Sequence, residues 1–223
     1  MLKGKGLLTP LERDFLRLFS QLPDQANFFL AGGTALAEFY LGHRLSYDLD
    51  MFTSERDLIL PFSHQLESAC QVQGIEVKVV RRFATFVELL IQRSDETLRV
   101  DLGLDSPYHV ISPVVSEYGV RVNSFEDMKA DKLLAYFGRS EPRDAIDVFF
   151  LLQKEPLETL IAVASEKDPG FDLYWFAMAL NRAQNFPDEL ERWPVRMLQD
   201  FSPKVLKQTF SDMAIKIMKQ LEP

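Results

Sequence analysis

Residues 28–53 constrain the fold of this chain more than any other stretch. The stretch opens with the apolar residues 28–31, which predict a short buried strand bounded by glycine. A tight turn at Gly32-Gly33 comes next, and the apolar periodicity of residues 35–41 predicts a helix that ends at the C-cap glycine Gly42. A strand, a glycine turn and a helix in this order leave the first amide groups of the helix free to bind an anion.

Two aspartates follow in an extended segment, Asp48 and Asp50. Positions i and i+2 of a strand point to the same face, so both carboxylates should project into one place. Neighbouring carboxylates repel each other unless a cation lies between them, and carboxylate oxygen prefers a hard ion of the Mg²⁺ type. The stretch therefore predicts part of a metal site beside an anion-binding turn.

The composition limits which classes of protein are compatible with this stretch. The chain has 223 residues, 47% of them hydrophobic, which is enough for one domain with a helical appendix. Apolar runs fall short of the roughly 18 residues of a membrane span, and a signal-peptide pattern is missing. The single cysteine, Cys70, excludes an intramolecular disulfide. We therefore expect a cytoplasmic protein without a membrane segment. The net charge of −8 argues against a broad nucleic-acid-coating surface but leaves room for a local basic groove.

The first half of the chain predicts a sheet with helices. A helix should begin at Pro10, capped by Thr9 and Glu12, and a second helix should cover residues 60–73. Strands are predicted at 75–82, 85–92, 97–102 and 119–123, with a hairpin turn at 94–96.

The second half of the chain predicts helices only. One helix should start at Ser124 and end at Gly138, the next should start at Pro142, and the chain from Pro156 onward shows helical patterns with breaks. The breaks are expected near residues 168–170, Pro187, Pro194 and Pro203. The predicted organisation is a core at residues 1–138, which carries the metal and triphosphate site, and a helical region at residues 139–223 packed on that core.

A third carboxylate, Asp101, lies near the end of the predicted strand 97–102. If this strand pairs beside the strand of Asp48 and Asp50, three carboxylates converge and can hold one or two divalent ions. Two such ions can clamp the attacking and leaving oxygens of an in-line displacement at phosphorus. Asp101 would also be placed to take a proton from an incoming hydroxyl group.

Other residues supply groups that suit a triphosphate. Backbone amides are available at the Gly32-Gly33 turn, and Thr34 could add a hydroxyl group. Lys132 is a mobile point charge for a β- or γ-phosphate, while Arg44 and Arg139 offer forked contacts to phosphate oxygens. Together these groups predict metal-dependent nucleotidyl transfer that needs no nucleophilic side chain.

Each feature also has a purely structural interpretation. A Gly-Gly pair is more often a simple turn, Asp-x-Asp is common on exposed strands, and a lysine such as Lys132 on an amphipathic helix usually faces solvent. Asp144 and Asp147, three residues apart on one helix face, could hold Arg143 or cap the helix. The glycine turn and the aspartate pair, separated by a single short helix, favour the functional interpretation.

The segment GGTALAEFYLGHRLSYDLDMF resembles the first motif of the AbiEii/AbiGii-type toxin family of the nucleotidyltransferase superfamily. In that family a Gly-Gly-Thr or Gly-Gly-Ser turn precedes an Arg-x-Ser-x-Asp-hydrophobic-Asp run, which here is Arg44, Ser46, Asp48, Leu49 and Asp50. The later segment DKLLAYFGRSEPRDAIDVFFLL resembles the family's lysine-bearing helix and the helix after it. The matching positions are Lys132, Arg139, Arg143, Asp144 and Asp147. The resemblance covers roughly residues 28–152.

The resemblance implies an α+β fold with a nucleotidyltransferase-like mixed β-sheet, flanking helices and an all-α C-terminal region. It also implies Mg²⁺, with Mn²⁺ as the alternative ion, and transfer of a nucleoside monophosphate from a nucleoside triphosphate to an acceptor. In family members that act as toxins the acceptor can be the end of a tRNA, and a cognate antitoxin is encoded nearby. The catalytic set is then Asp48, Asp50, Asp101 and Lys132, the three aspartates being the metal ligands. The triphosphate-binding set is Gly32, Gly33, Thr34, Arg44, Ser46, Lys132, Arg139, Asp144 and Asp147.

Two other functions are compatible with these residues. The first is a nucleotidyltransferase that acts on a small metabolite such as an aminoglycoside, for which a deep acidic acceptor pocket would be expected. The second is a non-catalytic module that binds a nucleoside triphosphate. The presence of all three carboxylates counts against this second function, because loss of one of them would be the simplest way to lose activity.

Overall fold

The structure, a computed structural model, describes residues 1–221 and divides into two compact units, Met1–Phe125 and Glu126–Pro223. The first unit contains the sheet and the second is built of helices. This division places Lys132 with the C-terminal helices, whereas the sequence-based division placed it in the core at residues 1–138.

The sheet contains seven strands within the described residues. They are β1 (Phe29–Ala31), β2 (Asp48–Thr53), β3 (Glu76–Phe83), β4 (Phe86–Arg93), β5 (Glu96–Leu104), β6 (Val114–Val115) and β7 (Arg121–Val122). Their spatial order is β3-β4-β5-β2-β1-β7-β6. The pairs β2–β5 and β1–β7 are parallel and the other pairs are antiparallel, so the predicted mixed sheet is confirmed.

The α-helices of the described residues flank this sheet or form the second unit. They are α1 (Pro10–Phe19), α2 (Gly32–Ala35), α3 (Ile59–Val72), α4 (Phe125–Arg139), α5 (Pro142–Leu152), α6 (Leu157–Lys167), α7 (Leu173–Arg182) and α8 (Pro203–Leu221). The predicted start of α1 is confirmed: Thr9 Oγ1 accepts the N–H of Glu12, and the Glu12 carboxylate accepts the N–H of Thr9. Helices α1 and α3 contact the sheet through buried apolar side chains such as Phe15 and Phe62.

The chain from β1 to β2 forms the predicted strand, turn and helix, with one difference in the helix. After the four residues of α2, Leu36–Leu41 form a π-helical segment. Gly42 terminates it in the left-handed region (φ +65°), and its N–H donates to the carbonyl of Ala37, five residues earlier. The predicted helix end at Gly42 is therefore confirmed, while the wider π winding was not predicted.

A carboxylate in the π-helical segment anchors the N-terminal residues of the chain. Glu38 is fully buried and accepts hydrogen bonds from the backbone N–H groups of Gly6 (3.1 Å) and Leu7 (2.6 Å). The hydroxyl group of Tyr118 donates a third bond (3.3 Å), and burial together with the negative charge of Glu38 raises the pKa of Tyr118 to about 12. These donors offset the cost of burying the Glu38 carboxylate.

The predicted hairpin at residues 94–96 is confirmed as the β4–β5 connection. Arg93 pairs with Glu96, and Ser94 adopts a positive φ of 54° in the two-residue loop. Alternate residues of these strands point to one face of the sheet and are fully buried there, for example the paired residues Leu89 and Val100. This hairpin places β5 so that its other edge pairs with β2.

The second unit differs from its prediction between residues 183 and 202. Only short 3₁₀ turns occur there, at Ala183–Asn185 and Leu190–Arg192, because proline removes hydrogen-bond donors and disfavours helix before it. Trp193 is buried in this segment, and its indole N–H donates to the carbonyl of Pro187 (2.9 Å).

No helix in the described part of the chain has the length and apolar character needed to cross a membrane.

Candidate active site

Strand pairing brings the third aspartate beside the first two. In the parallel β2–β5 pair, Asp50 lies opposite Asp101 and Asp48 lies opposite Arg99. Residues paired in register point to the same face of a sheet, and neighbouring strands lie about 4.8 Å apart. The alternate residues Leu49 and Met51 are fully buried on the other face. The pairing on which the sequence interpretation depended is therefore present.

The glycine turn lies in direct contact with the aspartate pair. A Cβ atom placed on Gly32 would lie 1.7 Å from Oδ2 of Asp50 and 3.0 Å from its Cβ. Gly32 also has a φ of +69°, which L side chains rarely adopt. Both the space and the backbone conformation at this position require glycine, because the carboxylate occupies the volume that a side chain would fill.

We expect Gly32→Ala to lower the free energy of unfolding by about 2–4 kcal/mol, since it adds backbone strain to a clash in a packed site. It should also displace Asp50 and so reduce activity. Chemical denaturation measures the stability, and Gly74→Ala is a matched control. Gly74 also has a positive φ (+70°), but beyond its two chain neighbours no atom lies within 4 Å of the Cβ position. Equal losses in the two variants would show that the clash with Asp50 contributes nothing.

The arginine and serine of the motif fold back onto the same turn. A Cβ atom on Gly33 would lie 2.7 Å from Nη2 of Arg44 and 2.7 Å from Oγ of Ser46. Arg44 is buried, and its Nη1 donates to the carbonyl of Leu45 (3.0 Å). The structure therefore brings together five residues predicted from one motif: Gly32, Gly33, Arg44, Ser46 and Asp50.

The hydroxyl group of Thr34, which was predicted to contact a phosphate, makes a contact within the protein instead. Its side chain is buried, and its Oγ1 donates to the backbone carbonyl of Asp48 (2.5 Å). A hydroxyl group has a single hydrogen, so in this arrangement it does not donate elsewhere. Thr34 fixes the start of β2, and with it the backbone that carries Asp48.

Arg99 is a residue of this site that the sequence interpretation missed. Its Nε and Nη2 donate to Oδ1 (3.1 Å) and Oδ2 (2.7 Å) of Asp101, so the guanidinium contacts both carboxylate oxygens. Burial raises the pKa of Asp101, while the hydrogen bonds and positive charge of Arg99 act in the opposite direction. The i, i+2 spacing of Arg99 and Asp101 in a predicted strand is the pattern that could have revealed this pair.

The donor set at this face suits a hard divalent cation. Among residues 1–221, no three acidic, histidine or cysteine side chains are gathered closely enough to hold a metal ion in this arrangement. The available donors are nevertheless carboxylate oxygens on adjacent, registered strands, namely Asp48, Asp50 and Asp101, beside a turn that needs glycine. This chemistry fits Mg²⁺ or Mn²⁺ better than a softer metal.

The other predicted residues form two ion pairs between α4 and α5 in the second unit. Nζ of Lys132 lies 2.9 Å from Oδ2 of Asp147, and both side chains are buried, with 7% and 0% of their surface exposed. Arg139 holds Asp144 with two hydrogen bonds, of 2.5 Å from Nε and 2.7 Å from Nη2. The alternative in which Asp144 and Asp147 hold Arg143 is not seen, because Arg143 pairs with Glu141 (2.9 Å).

Two lysines of the second unit whose side chains are almost inaccessible to solvent were also missed. Lys129 contacts Glu126 (2.7 Å) and Glu155 (3.3 Å). Lys167, in the last turn of α6, contacts two carboxylates of α4, those of Asp127 (3.3 Å) and Asp131 (2.6 Å). These pairs hold the helix that carries Lys132. Composition offers no means of distinguishing such lysines from solvated ones.

The fold is similar to those of several solved structures. JHP933 from Helicobacter pylori superposes with a TM-score of 0.63 at 20% sequence identity, over 95% of this chain and 90% of that chain. MenT4, a nucleotidyltransferase toxin from Mycobacterium tuberculosis, superposes with a TM-score of 0.60 at 15% identity, over 95% of this chain and 82% of that chain. No curated protein matches the sequence.

A family model decides the classification. The model of the AbiEii nucleotidyltransferase toxins of type IV toxin–antitoxin systems matches residues 14–223, which include every residue of the candidate site. The matched region includes both the sheet with its aspartates and the helices with Lys132. The chain therefore belongs to the AbiEii family and is a nucleotidyltransferase.

Proposed function

We propose that the protein transfers a nucleoside monophosphate from a nucleoside triphosphate to the end of an RNA, with tRNA as the acceptor, in the cytoplasm. A cognate antitoxin would counteract it, as the family's toxin–antitoxin description suggests. The observation that carries the chemistry is the registered pair of Asp50 and Asp101, with the Asp50 carboxylate seated against Gly32. The choice of RNA as acceptor rests on family membership.

In this proposal Asp48, Asp50 and Asp101 would hold the divalent metal. A bound Mg²⁺ ion would offset the negative charge that develops on the phosphate during in-line displacement. The acceptor hydroxyl oxygen forms a bond to the α-phosphorus, and the bond from that phosphorus to the pyrophosphate oxygen breaks. The Asp101 carboxylate would accept the hydroxyl proton.

The triphosphate would bind at the start of α2. The amide groups there follow a turn that lacks side chains, so the backbone can approach the phosphate oxygens closely. The buried guanidinium of Arg44 lies at Gly33 and adds positive charge beside that turn. Lys132 and Arg139, held by Asp147 and Asp144, correspond to the family's lysine-bearing helix, and we assign them phosphate contacts by that resemblance.

The experiment that tests this function uses each α-³²P-labelled nucleoside triphosphate in turn, with the protein, Mg²⁺ and total tRNA. We expect label on the tRNA, no label after chelation with EDTA, and no label on tRNA whose 3′ diol has been oxidised with periodate. Pyrophosphate should be released in equal amount.

Other outcomes would replace the proposal. Label that appears on an aminoglycoside panel but never on RNA would identify a small-molecule acceptor. Tight nucleotide binding by calorimetry, without pyrophosphate release across all acceptors, would identify a non-catalytic binding module.

A further inference from the structure

We propose that Arg99 is an internal counterion of Asp101 that competes with a divalent metal, so that Arg99 positions the third carboxylate and lowers the metal affinity of the site. This inference rests on the proposed role of Asp101 as a metal ligand. It concerns a residue outside the two segments that carry the family resemblance.

The contact is bidentate and engages both oxygens of the carboxylate. Nε and Nη2 of Arg99 each donate to a different oxygen of Asp101, at 3.1 and 2.7 Å. Fork-to-carboxylate pairs of this kind are stronger and more directional than a single-point contact. The guanidinium thus occupies one lone-pair site on each oxygen. A metal ion that binds Asp101 through both oxygens must compete with it, and one that binds at a remaining lone pair is opposed by its positive charge.

The strand register places the Arg99 charge among the proposed ligands. Arg99 lies directly opposite Asp48 on the neighbouring strand, as Asp101 lies opposite Asp50. A cation at this position opposes the approach of a second cation, in addition to occupying the oxygens. Removal of Arg99 should therefore tighten metal binding for two reasons.

Arg99 has a second acidic neighbour, which can stabilise its charge when a metal ion binds Asp101. Oε1 of Glu88, on β4, lies 3.4 Å from Nε of Arg99, and Glu88 pairs in register with Asp101. The Arg99 side chain is 44% exposed, so it can leave Asp101 for Glu88 or solvent without becoming a buried unpaired charge. Asp101 is only 8% exposed, so its carboxylate needs a partner both with and without a bound metal ion.

The test measures Mn²⁺ binding to the full chain by calorimetry, without nucleotide, at about pH 8 so that the carboxylates stay ionised. We expect Arg99→Gln to bind Mn²⁺ about 3- to 10-fold more tightly than the wild type. The Mn²⁺ affinity of Arg99→Lys should lie between those of Arg99→Gln and the wild type, because lysine keeps the positive charge but cannot hold both carboxylate oxygens. Arg81→Gln is the matched control, because Arg81 contacts Glu88 (3.2 Å) but not Asp101.

Thermal unfolding gives a second, independent measurement. In EDTA the melting temperature of Arg99→Gln should be below that of the wild type, because Asp101 has lost its partner. Mg²⁺ should raise the melting temperature of this variant by more than it raises that of the wild type. Wild-type affinity and an equal Mg²⁺ response in Arg99→Gln and Arg99→Lys would overturn the counterion proposal.

The two proposals can fail separately. If the wild type binds Mn²⁺, Asp50→Asn does not, and Arg99→Gln binds as the wild type does, the metal site stands and the role of Arg99 is refuted. If neither the wild type nor Arg99→Gln binds Mn²⁺ at millimolar concentration, the metal assignment itself fails, and the counterion role fails with it.

Discussion

Asp50→Asn should lower kcat/KM for nucleotidyl transfer at least about 10³-fold, which corresponds to a loss of about 4 kcal/mol of transition-state stabilisation. Asparagine keeps the shape that fits against Gly32 but removes the charge that the proposed metal requires. The variant should remain folded, since asparagine is nearly isosteric with aspartate. Initial rates of labelled nucleotide transfer and thermal unfolding measure the two effects.

Asp95→Asn is the matched control for this variant. Asp95 is an exposed residue in the β4–β5 loop, so the substitution makes the same chemical change away from the candidate site. It should leave the rate within about twofold of the wild type, as surface substitutions usually do. A folded Asp50→Asn protein with wild-type activity would refute the assignment of Asp50.

Asp147→Asn should lower the free energy of unfolding by about 3 kcal/mol. The reason is the burial of Lys132, whose side chain is 7% exposed and lies 2.9 Å from the Asp147 carboxylate. Removal of the carboxylate charge leaves the Lys132 ammonium group in a site of low polarity. Urea denaturation of the purified variant measures the loss.

The double variant Lys132→Met/Asp147→Asn separates stability from catalysis. It removes both charges, so it should recover much of the stability lost in Asp147→Asn. It should nevertheless remain inactive, because the proposed phosphate contact of Lys132 is missing. Full activity in the double variant would contradict the role assigned to Lys132, and unchanged stability in Asp147→Asn would contradict the importance of the buried pair.

Features that depend on a few neighbouring residues could be predicted from the sequence. The capping box of Thr9 and Glu12, the left-handed Gly42 and the β4–β5 hairpin are local, because each follows from backbone geometry within a few positions. The placement of Asp48 and Asp50 on one face of β2 is local for the same reason. Half of the candidate site was therefore visible in a single motif.

Features that depend on distant parts of the chain could not be derived in this way. No short segment of the sequence indicates that β5 lies beside β2, yet this pairing brings Asp101 to Asp50. The partners of Lys132 and of Asp101 depend on which charged group is nearest in three dimensions, and many groups were available. The π winding of Leu36–Leu41 also escaped prediction, because apolar periodicity barely distinguishes it from an α-helix.

The bonds of Glu38 have a practical consequence for protein truncation. The family match begins at residue 14, so the first residues look dispensable on similarity alone. They carry the Gly6 and Leu7 amides that satisfy the Glu38 carboxylate, which lies in the same helical segment that follows the glycine turn. A protein trimmed to the matched region would lose those two donors. The Glu38 carboxylate would then lack them in the helical segment that follows the glycine turn of the candidate site. We therefore expect the folded domain to need residues that precede the region the family similarity indicates.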